Sequence, residues 1–485
     1  MNQLDAHQYR DLLQASLPVA VDADTSGPDH RTLFTPDSHR MALDLDVTVI
    51  RGARGAGKTV WFKALQDERL REVAAHAYQL ARIQTVEPIA VYGSELRPES
   101  YPGPATLVRL ADSVGDPYNI WVAVMLNALG MDEIKNIGGW IERVEWVKRN
   151  PEELDRLFAE ADSRAGASGN NVVLLFDALD RVHPQRAQAD KLVSGVLRLA
   201  LDIRTRTRNL RAKIFIRHDM FDAALLQFPD ASKLTANAAD LTWTETNLYG
   251  LLYHQLGNSA HEYSTSFRDQ TGAWEDAGEG RYLPPPNVVG DRETQKEIFT
   301  QLAGPYMGTE HRKGLTYTWL PNHLMDGVGQ VSPRSFLSAL SKATDVTRTR
   351  FAGNPRALHY DGIRQGVQAA SDIRVREVAE DLPWVQAAIK PLAGLQVPIE
   401  EDAILDRWRG SNLLEELSDL SSESENVDDQ IRTGPRSVDD TAGLIEELIL
   451  LGVMSRRGTG RIDLPDVYRI AFDIGRRGGV PRNVR

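Results

Sequence analysis

Residues 52–59 have the types and spacing that bind phosphate. Their sequence, GARGAGKT, fits the pattern G-x-x-x-x-G-K-[ST] in full. Glycines let a backbone wrap around phosphates with its N–H groups pointing inward. Lys58 is expected to reach the β- and γ-phosphates, and the Thr59 hydroxyl to bind Mg²⁺. The alternative is a glycine-rich turn without a ligand. The predicted nucleotide-binding residues are Gly52, Arg54, Gly55, Ala56, Gly57, Lys58, Thr59 and Val60.

The flanking sequence favours the phosphate-binding interpretation. A short β-branched run at residues 46–50, DVTVI, precedes the motif and predicts a buried strand. Apolar residues at helical spacing follow it. A strand, a glycine-rich loop and a helix form the context that a P-loop requires, and the N-terminus of that helix attracts anions.

A second carboxylate is expected at the end of another buried strand. Residues 172–176, VVLLF, predict a central strand buried on both faces, and Asp177 follows directly. Asp177 is predicted to hold Mg²⁺ through water, together with Thr59. The alternative is an aspartate that caps the next helix.

The residues after Asp177 predict slow hydrolysis if Asp180 does not reach the attacking water. The alternative is a carboxylate from elsewhere in the chain that takes this role. Many ATP motors have glutamate at the next position, where it polarises the attacking water. Here that residue is Ala178, and the next carboxylate is Asp180. With Asp180 as the candidate group beside the water, the predicted catalytic residues are Lys58, Asp177, Asp180 and Arg217, the last of which is discussed with Arg334 as a γ-phosphate contact.

Two arginines are candidates for contact with the γ-phosphate. Arg217 ends the strand-like run KIFIR, and its alternative role is a surface pair with Asp219. Arg334, in SPRSF, begins a helix in a later all-α region and is a candidate lid contact with the nucleotide. Its alternative is an ordinary cation at a helix start, which is slightly unfavourable there and so needs a partner.

Residues 198–211 carry five arginines, Arg198, Arg204, Arg206, Arg208 and Arg211. One of them is a candidate arginine finger for the ATP of a neighbouring subunit. A solvated basic helix face explains the same pattern.

The composition bounds the class of protein. The chain has 485 residues, of which 42% are hydrophobic and 26% charged, and its net charge is −12. These values predict a globular protein of about three domains without a uniformly basic surface. With no cysteine, disulfides and thiolate sites are excluded. No signal-peptide pattern or membrane-length apolar run is present, so we expect a cytoplasmic protein with no membrane partner.

Alternating strand and helix signals predict an α/β core with a parallel sheet. Strands are predicted at residues 46–50, 88–93, 172–176, 213–217 and 240–243. Residues 257–292 are predicted to be a long loop or an insertion. The predicted organisation is an N-terminal arm (1–35), a P-loop ATPase core (36–245), a helical lid (246–400), an acidic flexible segment (401–440) and a winged-helix-like module (441–485).

The C-terminal module has the pattern of a winged helix, with a helix at 443–451 and a hairpin whose tip is Gly458-Thr459-Gly460. From Gly452 onward, arginines outnumber aspartates eight to three. Arg456, Arg457 and Arg461 flank the tip, where they are candidates for contact with nucleic acid. The alternative is a protein-docking module with solvated arginines.

Together, GARGAGKT, VVLLFDALDR, KIFIRHDMF, DLTWTETNLYGLL and SPRSF resemble bacterial AAA-type P-loop ATPases. The resemblance covers about residues 36–345 and is strongest to the STAND and KAP-like branches, where an Asp-x-x-Asp motif replaces Asp-Glu. It implies a P-loop NTPase core with a parallel sheet, an all-α lid and a C-terminal winged helix. It also implies ATP and Mg²⁺ as cofactors, a homo-oligomer and a signalling or anti-phage role.

Two functions remain open. The first is a slowly hydrolysing regulatory ATPase that switches its own assembly or recruits a protein effector. The second is a DNA-binding ATPase, similar in architecture to the origin-recognition group, that uses the basic C-terminal module. A small-molecule P-loop kinase is disfavoured because such kinases are compact and lack a long lid and tail.

Overall fold

A computed structural model describes residues 3–17, 27–167, 169–225, 228–422, 435 and 440–478, with only the backbone for 419–422. The sequence predicts a short helix near residues 9–15, and it is present as α1 (Ala6–Ser16). The predictions for residues 18–26, 423–434, 436–439 and 479–485 lie outside the described residues.

Five parallel strands form the sheet of the P-loop NTPase core, in the order β2-β3-β4-β1-β5. The strands are β1 (Val49–Arg51), β2 (Glu87–Tyr92), β3 (Val172–Phe176), β4 (Leu210–Ile216) and β5 (Ala238–Asp240). Every residue of β3 is buried, because helices cover both faces of the sheet. The carboxyl ends of β1, β3 and β4 therefore meet at one edge.

Helices from the first half of the chain cover this sheet, except for α1, which packs in the helical region that follows. They are α1 (Ala6–Ser16), α2 (Arg40–Leu43), α3 (Lys58–Gln66), α4 (Glu68–Tyr78), α5 (Ala81–Gln84), α6 (Pro104–Ser113), α7 (Pro117–Ala128), α8 (Asp132–Lys135), α9 (Trp140–Arg149), α10 (Pro151–Ala167), α11 (Arg186–Arg206), α12 (His218–Leu225) and α13 (Ser232–Thr235).

A helical region follows the sheet and has its own apolar core. Its helices are α14 (Glu245–Asn258), α15 (Tyr263–Thr271), α16 (Pro286–Gly290), α17 (Arg292–Ala303), α18 (Thr316–Leu324), α19 (Pro333–Arg350) and α20 (Tyr360–Asp381), with a small hairpin of β6 (Glu275–Asp276) and β7 (Tyr282–Leu283). Helix α1 joins this core, since the buried Arg10 guanidinium donates to the backbone oxygens of Asn354 and Ala357.

The last part of the chain has a third apolar core. Its helices are α21 (Pro383–Ile389), α22 (Glu401–Gly410), α23 (Leu413–Ser422), α24 (Thr441–Leu450) and α25 (Asp466–Arg469). Its strands are β8 (Gln396–Val397), β9 (Ser455–Arg456), β10 (Ile462–Asp463) and β11 (Gly475–Arg476). The predicted hairpin is present, because β9 and β10 pair antiparallel. Its assignment to the winged-helix class stays a prediction.

Three predictions about local structure are wrong. The fifth strand is Ala238–Asp240 and not 240–243, because its partner β1 ends at Arg51, whose backbone oxygen accepts the last hydrogen bond, from the Leu241 N–H at 2.7 Å. Residues 257–292 are not a loop throughout, since α15 buries Phe267 against the helical core. The acidic segment is not flexible from 401 onward, because α22 buries Ile404 and Trp408 in the third core.

None of the helices in the described part of the chain is both long enough and apolar enough to cross a membrane.

Candidate functional site

The P-loop lies between β1 and α3, as the motif predicts. Lys58 Nζ donates to the backbone oxygens of Gly52 and Ala53, both at 2.9 Å. Gly57 stands before α3 with φ of 105°, a conformation that favours glycine, and no side chain caps the helix there. The first N–H groups of α3 are therefore available to bind an anion at this end of the helix.

Gly55 is held under the start of α19. Its φ is 77°, and a Cβ added to it would lie 2.5 Å from Ser332 Oγ. No larger residue fits without moving Ser332. The segment SPRSF therefore rests directly on the P-loop, although more than 270 residues separate the two in sequence.

Asp177 follows β3 at the same sheet edge and is almost fully buried. Burial raises the pKa of this carboxyl to about 6, against the opposing effects of hydrogen bonds from the Ala178 N–H and the Thr59 side chain and of the Lys58 charge. The contact between Thr59 and Asp177 joins the two residues that are predicted to bind Mg²⁺. An oxygen pair of this kind fits Mg²⁺, which prefers one or two protein oxygens together with waters and phosphates.

A tight turn places Asp180 beside Lys58. Ala178 has φ of 58°, which turns the chain into the short 3₁₀ helix Leu179–Arg181. Burial lowers the pKa of Lys58 to about 8, and the charges of Asp180 and Asp177 oppose that shift. Among the described residues, no group of three or more histidines and carboxylates could hold a metal ion by itself.

Arg217 directly follows β4 and pairs with Asp219, the partner in its alternative role, but the pair is largely buried and not on the surface. Its Nε and Nη2 donate to Asp219 at 3.0 and 3.2 Å. Arg186 donates to the same carboxylate at 3.2 Å. Burial acts to raise the pKa of Asp219, but the two arginine charges outweigh it and hold that pKa at about 2. Although it pairs with Asp219, Arg217 also lines the cavity that contains the P-loop, so it remains a candidate for contact with phosphate.

Arg334 and Arg54 reach carboxylates that the sequence analysis missed. Arg334 Nη1 donates to Glu377 at 2.8 Å, which supplies the partner that a cation at a helix start needs. Arg54 pairs with Glu380 and Asp381. These acids lie in the last two turns of α20, in the run RVREVAED. Basic and acidic residues at helical spacing were the available signal, but the sequence predicts a helix only over residues 357–370.

One cavity of about 630 Å³ joins these residues. Of the predicted site residues, it is lined by Arg54, Gly55, Gly57, Lys58, Thr59, Val60, Asp177, Asp180, Arg217 and Arg334. Gly52 and Ala56 do not line it. The Gly52 N–H donates to the Ile216 backbone oxygen of β4 at 3.1 Å, and the Ala56 side chain is buried behind the loop.

The cavity also has an aromatic wall, which the sequence analysis did not identify. Phe34, His39, Trp61 and Trp243 all line it. The Phe34 and Trp243 rings lie 6.3 Å apart, and the His39 and Trp243 rings 5.2 Å apart. Trp243 Nε1 donates to the Ala56 backbone oxygen at 2.8 Å, which fixes this wall against the P-loop. A planar apolar group fits here, and an anion fits at the P-loop.

The arginines of residues 198–211 are mostly engaged within the chain. Arg198 pairs with Asp116 at 2.8 Å, Arg206 with Asp155, and Arg211 with Asp46 at 3.4 Å. Arg204 donates to the Asp46 backbone oxygen at 2.8 Å. These contacts agree with a basic helix face. A role for any of them as an arginine finger stays a prediction.

The three arginines at the hairpin tip also have carboxylate partners. Arg456 Nη1 lies 2.8 Å from Glu401 and Arg461 Nε 2.5 Å from Glu400. Arg457 Nε donates to Asp463 at 2.8 Å. The basic charge of the module is therefore largely compensated at the tip, which reduces its attraction for phosphate.

Comparison with known proteins leaves the family open. No family model matches the sequence, and no curated protein matches it significantly. Two solved structures of the ORC2 protein of Aeropyrum pernix are similar in fold. The first, of ADPNP–ADP complexes, has a TM-score of 0.39 and 13% identity, with 88% of this chain and 86% of that chain covered. The second, the ADP form, has a TM-score of 0.30 and 12% identity, with 88% and 84% covered. Likeness at this level carries no argument about activity.

Proposed function

We propose that this chain binds ATP with Mg²⁺ and hydrolyses it slowly, and that the bound nucleotide controls its self-assembly or its recruitment of a protein effector. One observation carries the proposal: Lys58, Asp177, Arg217 and Arg334 come from four separate segments and line one cavity with the P-loop. Cationic and carboxylate groups gathered around a helix N-terminus support phosphate and metal binding.

The residues of the cavity have separate tasks in this proposal. Lys58 exchanges its two backbone acceptors for phosphate oxygens, and the N–H groups at the start of α3 donate to the same phosphates. Thr59 and Asp177 supply the protein oxygens for Mg²⁺. When bound, Mg²⁺ neutralises charge on the phosphates. Trp243 and Phe34 provide an apolar surface for the purine base, which stacks on aromatic rings.

Slow hydrolysis follows from the turn after β3. Ala178 offers no carboxylate to orient water, so the nearest acid in that segment is Asp180. We expect Asp180→Asn to lower turnover by about 100-fold, because positioned general bases contribute 10²- to 10⁴-fold. ATP affinity should stay within about twofold. Unchanged turnover would show that Asp180 is not the group that activates water.

Nucleotide binding is tested by titrating the full chain with ATP and Mg²⁺ in a calorimeter. Lys58→Ala should weaken binding at least about tenfold, because a charge-assisted hydrogen bond contributes ~1.5–3 kcal/mol. The matched control is Lys191→Ala, which removes an exposed lysine of α11 away from the cavity. Equal affinities of the wild type and Lys58→Ala would contradict the P-loop assignment.

Assembly is tested by sedimentation of the wild type without nucleotide and with ADP, ATP or a slowly hydrolysed ATP analogue. The proposal expects a defined larger species with ATP or its analogue and no shift for Lys58→Ala. The resemblance to STAND and KAP-like ATPases supports this switch and a role in signalling or anti-phage defence. A mass that never changes would leave the DNA-binding ATPase as the function to test. The paired arginines at the hairpin tip weigh against that alternative.

A further inference from the structure

Three arginines of the cavity bind one short acidic stretch of the chain. Arg54, in the P-loop, lies with Nη2 3.4 Å from Glu380 and with Nε 4.0 Å from Glu377, and it also pairs with Asp381. We call Glu377, Glu380 and Asp381 the acidic triplet. All three belong to the last two turns of α20, so one rigid helix end presents them together.

The other two arginines reach the same triplet. Arg334 Nη1 lies 2.8 Å from Glu377, and Arg217 Nη1 lies 3.7 Å from Asp381. Glu377 is 12% exposed and Asp381 is 18% exposed, so these contacts are largely shielded from water. Charge pairs in such surroundings are stronger than pairs on an open surface, where they contribute little.

A phosphate in the cavity needs the same cations. Arg54 and Arg334 flank Gly55, and Arg217 lies at the end of the adjacent strand, so all three guanidinium groups border the place where the P-loop would hold phosphates. Each guanidinium has a limited number of donors, and phosphate binds them bidentately as carboxylate does. The two kinds of anion therefore compete for one set of cations.

We propose that the acidic triplet competes with the phosphates of a bound nucleotide for Arg54, Arg217 and Arg334, so that a triphosphate weakens the attachment of α20 to the P-loop. This inference rests on the proposed function, because it assigns a regulation to the same site. The γ-phosphate adds charge next to these arginines, so ATP competes more strongly than ADP.

The C-terminal part of the chain is connected to this contact through Arg374. Its Nη1 donates to the Arg54 backbone oxygen at 3.2 Å, and its Nε donates to the Tyr468 hydroxyl of α25 at 3.1 Å. Ser371 Oγ accepts from the Ala471 N–H at 3.2 Å. Helix α20 thus packs against α25 on one side and the P-loop on the other. Loss of the triplet contacts would loosen the last two turns of α20 and their contact with α25, while Ile363 and Val367 keep the rest of the helix in the apolar core.

Thermodynamic linkage relates the affinity for nucleotide to the attachment of α20. If phosphate and triplet exclude each other, the nucleotide loosens α20 by the same free energy with which the triplet weakens nucleotide binding. We therefore expect the triple variant Glu377→Gln, Glu380→Gln, Asp381→Asn to bind ATP about 5- to 150-fold more tightly than the wild type, the usual range of such coupling. The gain for ADP should be smaller.

The control is Asp372→Asn, which removes one charge, against three in the triple variant, from a position of the same helix that does not line the cavity. Calorimetric titrations with ATP and with ADP compare both variants with the wild type, and adding Lys58→Ala to the triple variant checks that the gain occurs at the P-loop. A structural role of the triplet alone would leave affinity unchanged or lower it. That outcome would overturn the inference while the proposed function stands.

Hydrogen exchange of the wild type provides a second test. It uses no substitution, so its result does not depend on whether a variant folds. A slowly hydrolysed ATP analogue should increase exchange at residues 374–381 and in α25, whereas β3 should stay protected. Increased protection of α20 on binding would overturn the inference. Absence of any nucleotide binding by the wild type would instead remove the proposed function on which the inference rests.

Discussion

The guanidinium of Arg374 lies 3.2 Å from the backbone oxygen of Arg54, through its Nη1. The same group donates to the Tyr468 hydroxyl, and the side chain of Arg374 is only 7% exposed. One buried cation therefore joins the P-loop to a helix near the C-terminal end of the described chain. A buried charge needs partners, and Arg374 has the Glu377 carboxylate at 3.6 Å besides these two oxygens.

Tyr468→Phe should lower the free energy of unfolding by about 1.5–3 kcal/mol, because it leaves one donor of a buried arginine without its acceptor. Urea unfolding followed by tryptophan fluorescence measures the change. The matched control is Tyr360→Phe, at the start of α20, whose hydroxyl makes no hydrogen bond within the described residues. Equal losses for the two variants would contradict a specific role of the Tyr468 hydroxyl.

Asp326 should make stability depend on pH. Burial raises its pKa to about 6, although the Gln330 and Val328 N–H groups donate to it. The folded chain therefore holds this proton between about pH 4 and pH 6, where the unfolded chain has released it. Stability contributed by this group falls as pH rises through that window and is constant above it.

Asp326→Asn removes this dependence, because an amide oxygen accepts from the same two N–H groups without a charge. At pH 7 the variant should be more stable than the wild type by up to about 3 kcal/mol, the free energy of a pKa shift of about two. Urea unfolding at pH 4.5 and pH 7 measures the difference in free energy of unfolding between the variant and the wild type, with Asp372→Asn as the control. A variant that is less stable at both pH values would show that the carboxylate itself is required.

Asp219 holds two largely buried arginines, Arg186 and Arg217. Asp219→Asn should lower the free energy of unfolding by about 3–5 kcal/mol, because it leaves uncompensated buried charge. Asp222→Asn, an exposed position of the same helix, should change it by less than about 0.5 kcal/mol. Chemical denaturation of both variants gives the comparison. A small effect of Asp219→Asn would mean that Asp190 or another carboxylate replaces it.

The hairpin tip should bind DNA weakly until its carboxylates are removed. The double variant Glu400→Gln, Glu401→Gln removes the carboxylate partner of Arg461 and one of the two of Arg456, whose Nη2 still lies 2.5 Å from Glu446. Arg461 therefore becomes available to phosphate, and Arg456 becomes partly available. Double-stranded DNA binding, measured by fluorescence anisotropy at several salt concentrations, should strengthen. The slope of the logarithm of the DNA-binding constant against the logarithm of the salt concentration should become steeper by about 0.9 for each arginine that is freed.

The control for that experiment is Glu415→Gln, Glu416→Gln, which changes the net charge equally on exposed positions of α23. Equal strengthening in both variants would indicate a general charge effect and no special role of the tip. Tight, salt-dependent DNA binding by the wild type would favour the DNA-binding ATPase over the assembly switch.

The sequence by itself determined the elements that depend on near neighbours. A β-branched run, two glycines at positive φ and a helix-forming segment predict the P-loop from fewer than 30 residues. The continuous apolar run Val172–Phe176 predicts a strand buried on both faces, and the residue after it, Asp177, lies at the same edge as the P-loop. These features follow from backbone preference and hydrophobic period, which act within a few residues.

Only the tertiary structure decided which charges meet. Arg54 and Glu380 are separated by 326 residues, and no local pattern specifies their contact. The same holds for Ser332 above Gly55, and for Phe267, whose burial turns a polar stretch into part of the helical core. A charged side chain can pair with many partners of opposite sign, so its choice depends on how whole helices pack. Packing is set by the sum of buried contacts across the fold, which a short stretch of sequence does not contain.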